Sequence, residues 1–163
     1  MDSTKSDKRP TSQRRPIRIE LWVRSGKRPE FEPVLERLDD AVERGSIDDY
    51  TVETWGKFVD ISGRLSPTER RARDKLQSYA RWSANRGERL TGLGDPFKRS
   101  VGRMGPERVT RRTPRAVMAE YEDRVLSHVT ACEQSMGALR ARVDELESHI
   151  EPEWPSSPMT IEW

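Results

Sequence analysis

The sequence predicts an α+β fold: a mixed or antiparallel sheet with helices on one face, in the order β-α-β-α-(loop)-β-β-α, as a ferredoxin-like variant. Three observations carry that expectation. Ile17, Ile19, Leu21 and Val23 alternate with Arg18, Glu20, Trp22 and Arg24, the two-residue period of a half-buried strand. Ser66-Pro67-Thr68-Glu69 is a helix start: a capping serine, proline at the first helical position and glutamate to complete a capping box. Residues 114–150 read as two strands across a tight acidic turn, then a helix. Two βα units followed by a hairpin and a helix point to an open sandwich.

The elements follow in order. Residues 1–15 hold no sizeable apolar residue beyond Met1 and predict a disordered basic arm. A single domain is expected over 16–150 and a proline- and tryptophan-containing acidic tail over 151–163. After the first strand, Ser25 to Pro29 predicts a loop. Phe31, Val34, Leu35, Leu38 and Val42 fall at helical spacing between about Glu30 and Arg44, with Gly45 as the C-cap residue. Tyr50 to Ile61 is rich in β-formers, so a strand is favoured, with Gly56 marking a bulge or bend. Behind Ser66, the residues Ala72, Leu76, Tyr79, Ala80 and Ser83 form a narrow inward stripe that Gly87 ends. Residues 88–112 mix Gly92, Gly94, Gly102, Gly105, Pro96 and Pro106 with basic side chains and predict a long irregular loop. Pro114–Asp123 and Arg124–Cys132 predict a hairpin turning at Glu122-Asp123. Met136, Leu139, Val143, Leu146 and Ile150 are spaced 3, 4, 3, 4 and predict the last helix.

The charge is unevenly placed. Residues 1–18 carry six basic and two acidic side chains, hence +4; residues 19–85 carry twelve and thirteen, hence −1. Residues 86–115 carry nine and three, hence +6, and residues 116–163 carry three and ten, hence −7. Two basic segments on a near-neutral body point to contact with a polyanion, or to pairing of opposite charges within or between chains. Arginine outnumbers lysine 24 to 6, and guanidinium binds phosphate bidentately and stacks on bases.

Several classes are disfavoured. No stretch approaches the length of apolar sequence needed to span a bilayer, so no membrane contact is expected. The first residues lack the apolar core of a secretory signal, and Cys132 stands alone, so a cytoplasmic location is expected. His128, His149 and Cys132 do not have zinc-ligand spacing, and Gly92-Leu-Gly94 and Gly102-Arg-Met-Gly105 lack the Gly-Lys-Ser/Thr of a phosphate loop. No cofactor, metal or catalytic constellation is expected, and the carboxylates at Glu36, Asp39, Asp40, Glu43, Asp48 and Asp49 read as solvated surface.

Longer segments carry a family resemblance. Ile17-Arg-Ile-Glu-Leu-Trp-Val-Arg-Ser25, Val34-Leu-Glu-Arg-Leu38, Asp48-Asp-Tyr-Thr-Val-Glu-Thr-Trp-Gly-Lys57, Tyr79-Ala-Arg-Trp-Ser83 and Pro114-Arg-Ala-Val-Met-Ala-Glu-Tyr121 resemble a group of small haloarchaeal proteins labelled "HTH domain". The cysteine after the next strand and the closing Arg-Val-Asp-Glu-Leu-Glu helix belong to the same likeness. Two departures stand out: that group is usually acidic whereas this chain is basic, and the Gly/Arg loop is particular to this chain. The resemblance supplies no catalytic residues. A helix-turn-helix needs a second helix after a turn of three or four residues, and the Gly- and Pro-rich segment after the 66–86 helix predicts none.

The expected function is therefore a non-enzymatic regulatory or adaptor protein touching nucleic acid through an arginine-rich arm and loop. Candidate contacts are Arg9, Arg14 and Arg15 on the arm, and Arg89, Lys98, Arg99, Arg103, Arg108, Arg111 and Arg112 on the loop, where basic residues recur without matching acids in sequence. Phe97 lies among them and is placed to stack on a base. The alternative is a protein-interaction module, a homodimer or partner dock, using the seam Leu139, Val143, Leu146 of the last helix and the tail tryptophans Trp154 and Trp163. For that seam, packing on the sheet is the competing reading.

Overall fold

The computed structural model describes residues 16–100 and 107–148; the expected arm and tail lie outside the described residues. The chain runs β1 (Ile17–Arg24), α1 (Glu32–Glu43), β2 (Asp49–Trp55), β3 (Phe58–Asp60), α2 (Pro67–Ala84), β4 (Phe97–Ser100), β5 (Glu107–Arg112), β6 (Ala116–Glu122), β7 (Val125–Cys132) and α3 (Gly137–Ser148). A short 3-10 turn, Arg28–Phe31, leads into α1. No two α-helices are consecutive among the described residues: α1 is followed by β2, and α2 by β4.

The α+β class holds, with a mixed sheet of order β2-β1-β6-β7. β1 and β2 are parallel neighbours with α1 as their crossover, and β1-β6 and β6-β7 are antiparallel. The ferredoxin-like arrangement is corrected here, because a split βαβ unit would place another strand between β1 and β2. The helices are also not on one face. α1 and α3 cover the face carrying Ile19, Leu21, Val23, Ala116 and Met118. α2 covers the other, with Ala72, Leu76 and Tyr79 against Trp22, Trp55, Val117 and Ala119.

That second layer explains why β1 is not half-buried. Every residue from Ile19 to Arg24 is buried. The polar members of the alternation are satisfied inside: Glu20 accepts hydrogen bonds from Lys75 Nζ (3.2 Å) and Tyr79 Oη (3.1 Å). Burial opposes the charge on Glu20, but the Lys75 ammonium and these donors outweigh it and hold the carboxyl below its ordinary range. Trp22 stacks on Trp55 at 5.0 Å between centroids. A strand with charges at three of its four alternate positions reads as one-sided until its partners are known, and those of Glu20 are 55 and 59 residues away.

Local signals place the helix ends. Ser66 Oγ accepts from the Glu69 N–H (3.1 Å) and Glu69 Oε1 accepts from the Ser66 N–H (2.8 Å), a full capping box. Gly45 ends α1 at φ +81°, a conformation other residues adopt only with strain. The β6-β7 turn sits one residue later than the acidic pair suggests, at Asp123 and Arg124, whose φ values of 54° and 71° suit a two-residue hairpin turn.

The chain changes sheets twice. The run expected as one strand from Tyr50 to Ile61 breaks at Gly56-Lys57: β2 stays in the large sheet, and β3 joins a second, three-stranded antiparallel sheet of order β3-β5-β4. Alongside it, β5 leaves the small sheet and β6 enters the large one. Buried Thr113 ties the crossings, its hydroxyl donating to the Gly56 carbonyl at 2.7 Å and its N–H to the Lys57 carbonyl at 2.9 Å. The expected irregular loop 88–112 is thus partly regular, holding β4 and β5; residues 101–106 lie outside the described residues.

His128 on β7 sets a pH dependence. Its ring meets Trp82 of α2 edge-on at 5.1 Å, and the Arg86 guanidinium lies 3.7 Å over the same indole. Burial, then Arg142 and Arg86, push the imidazole below its ordinary pKa, against the opposing pull of Glu120 and Glu145. The folded state therefore resists protonation. The stability this contributes is complete above the unfolded value near 6.5 and is lost as pH falls below it towards the folded pKa. The urea midpoint is expected to drop between pH 7 and pH 5, and His128→Gln to flatten that drop.

Candidate nucleic-acid interface

The small sheet carries the basic segment as an ordered surface. β5 is its centre, with the register Phe58↔Arg112, Val59↔Arg111 and Asp60↔Thr110 on one side, and Phe97↔Thr110, Lys98↔Val109 and Arg99↔Arg108 on the other. Directly opposed residues share a face. One face therefore holds Phe58, Asp60, Phe97, Arg99, Arg108, Thr110 and Arg112. The other holds Val59, Lys98, Val109 and Arg111, and its Val59 is buried with Leu90 and Leu93 in the α2-side core.

Arg99 and Arg108 face each other, which by itself destabilises a strand pair. Asp60 resolves the conflict. Its carboxylate accepts from Arg108 Nη1 at 2.9 Å and from the Thr110 hydroxyl at 2.7 Å, and lies 3.7 Å from Arg99 Nη2. Burial raises its pKa, but the Thr110 and Arg108 hydrogen bonds and the Arg99 charge outweigh that and keep it below the ordinary value. Asp60 thus locks two guanidinium groups onto one face.

The aromatic component stands beside them. Phe58 and Phe97 pack edge to face with centroids 5.7 Å apart. They are 38% and 41% exposed, and the one other large apolar side chain this open among the described residues is Val125. Lys57 Nζ and the Arg99 guanidinium lie 5.7 and 5.9 Å from the Phe58 centroid. Two rings open to solvent between cations, on a twisted antiparallel sheet, form a surface able to stack bases while pairing phosphates.

The residues singled out in the sequence have different fates. Arg99 and Arg108 are on this face. Lys98 is exposed and makes no ion pair among the described residues. Arg89 pairs with Asp95. Arg111 turns inward, donating from Nε to the Gly94 carbonyl at 2.9 Å, and burial and then Arg89 lower its pKa. Arg112 Nη2 donates to Glu133 Oε2 at 2.9 Å. The expectation of basic residues without acids is thus corrected for Arg89, Arg99, Arg108 and Arg112, which meet Asp95, Asp60 and Glu133. Arg9, Arg14, Arg15, Arg103, Trp154 and Trp163 lie outside the described residues. Leu139, Val143 and Leu146 are buried in the core of this same chain against the sheet, so packing accounts for that seam. Cys132 is buried, and its thiol pKa is pushed up to about 11 by that burial.

Sequence reasoning missed Phe58, Lys57, Asp60 and Glu133. A signal for Phe58 was present in Gly56, which breaks the strand two residues earlier; nothing local marks Asp60 as the partner of arginines 39 and 48 residues further on.

No helix of the described residues is long and apolar enough to cross a membrane. No curated protein and no solved structure matches the chain. A family model described as a helix-turn-helix domain matches residues 11–153, nearly the whole chain, and the protein belongs to that family.

Proposed function

We propose that this is a non-enzymatic regulatory protein of the cytoplasm that binds nucleic acid, and that it does so through the basic, aromatic face of the β3-β5-β4 sheet. The family description supports nucleic acid as the ligand class. The sheet takes the role that a recognition helix would have, since no α-helix directly follows another among the described residues. The observation that carries the reading is the exposed Phe58–Phe97 pair set between Lys57 and Arg99.

Unpaired bases are the natural ligand of such a face. Base stacking on an aromatic ring contributes about 1–3 kcal/mol per base and tolerates any sequence. A duplex keeps its base faces stacked internally and offers phosphates and base edges, with no free base face for a ring. Lys57 and Arg99 supply the phosphate contacts beside the rings, with Lys98 on the opposite face and Arg9, Arg14, Arg15 and Arg103 adding charge. The test is binding of a labelled single strand to the full chain by fluorescence anisotropy as salt is raised. Binding that weakens with salt supports the proposal; no binding at low salt overturns it.

A further inference from the structure

Next to Phe58 the two chain crossings leave an open cleft of about 500 Å³, lined by Arg24, Lys27, Lys57, Arg112, Arg115 and Glu133 among others. Five cations meet there. Glu133 takes the centre: Oε1 accepts from Arg24 Nη2 at 3.2 Å and from the Arg115 N–H at 3.1 Å, and Oε2 accepts from Arg112 Nη2 at 2.9 Å. Gly92 makes room for this carboxylate. Its φ is +84°, and a Cβ there would stand 2.6 Å from Glu133 Oε1. Glu30 lies at the rim, 3.6 Å from both Lys27 and Arg115.

Two carboxylates do not balance this set. Five cations against Glu133 and Glu30 leave an excess of three positive charges. The side chains of Lys27, Arg112 and Arg115 remain partly open at the cleft wall, 39%, 43% and 28% exposed. An oxygen-rich anion seated there supplies the charge that the two carboxylates lack. A phosphodiester brings one negative charge, whereas a terminal phosphate monoester brings roughly 1.5 to 2 near neutral pH and three acceptor oxygens. The monoester answers the charge excess better.

The cleft is continuous with the stacking face. Lys57 belongs to both, and Arg112 is the cross-strand neighbour of Phe58. We propose that the cleft binds the terminal phosphate of a nucleic-acid strand whose end base lies on Phe58. The inference rests on the reading of the sheet as a nucleic-acid interface.

The test compares single strands of about twelve nucleotides, identical except for a 5′-phosphate, a 3′-phosphate or hydroxyls at both ends. Binding to the full chain is read by anisotropy at one low salt concentration, with inorganic phosphate and adenosine monophosphate as competitors. One of the two phosphorylated ends is expected to bind about ten-fold tighter or better than the hydroxyl-ended strand, the size of one charge-assisted hydrogen-bond set. Inorganic phosphate should remove that advantage without displacing the hydroxyl-ended strand. Lys27→Gln with Arg115→Gln should also abolish it, and Lys27→Gln alone, a change at an exposed rim residue, should reduce it. Equal affinity for all three strands overturns the terminal-phosphate site and leaves the sheet interface standing. Binding of adenosine monophosphate with no strand bound at all overturns both.

Discussion

Replacing Phe58 and Phe97 together by alanine is expected to weaken single-strand binding by about 3 kcal/mol, on the order of a hundredfold, while duplex binding at the same salt changes little. Both rings are more than a third exposed, so truncation removes stacking surface and leaves the buried core untouched. The urea midpoint should stay close to that of the parent protein, because surface substitutions away from buried features cost little. Tyrosine at both positions should restore binding, since it keeps the ring. Single-strand affinity within two-fold of the parent in the alanine pair would remove the aromatic face from the interface. Equal losses for single strands and duplex would make the effect one of charge placement, not stacking.

Arg142→Met is expected to cost about 3–5 kcal/mol of stability. Glu120 is 2% exposed on the α3 side of β6. Its carboxylate is held in fork geometry by Arg142, from Nε to Oε2 at 2.6 Å and from Nη2 to Oε1 at 2.9 Å. Removing the guanidinium leaves a carboxylate buried without its counter-charge, and the cost of that far exceeds the net worth of the pair. The double variant Glu120→Leu with Arg142→Met should recover a large part of the loss, because an apolar pair of similar volume leaves no orphan charge. Urea denaturation of both variants measures the two values. A single variant within 1 kcal/mol of the parent would show that Glu120 is relieved by another group or by water.

What the sequence discloses and what it hides follow a physical division. The capping box at Ser66–Glu69 is legible because all its partners lie within one helical turn. The β6-β7 hairpin and the apolar seam of α3 are legible for the same reason of locality, although the seam alone does not say whether a sheet or a second chain covers it. β1 is legible as a strand but not as a two-sided one, because the groups that neutralise Glu20 and Arg24 come from Lys75, Tyr79, Thr113 and Glu133. The small sheet is the largest loss. β4 is Phe-Lys-Arg-Ser and β5 is Glu-Arg-Val-Thr-Arg-Arg, too polar and too short to show a strand period. They are strands because β3, some fifty residues earlier, supplies the pairing edge and Asp60. The basic character of the interface was legible from composition, and its geometry was not. The aromatic partner of Phe97 sits 39 residues away on another strand, and four of the arginines that look free in sequence are held by acids in the fold.

The most direct measurement of the central claim is the affinity of the full chain for one single-stranded oligonucleotide and for its duplex across a salt series. Lys57 and Arg99, with the remaining basic residues, should neutralise about three to five phosphates, so log affinity for the single strand should fall with log salt at a slope of roughly −2 to −3.5. Single strand should be preferred at every concentration, and part of its affinity should persist at high salt, because stacking on Phe58 and Phe97 is not screened. Duplex bound more tightly than single strand throughout the series, or no binding of either at low salt, would contradict the account.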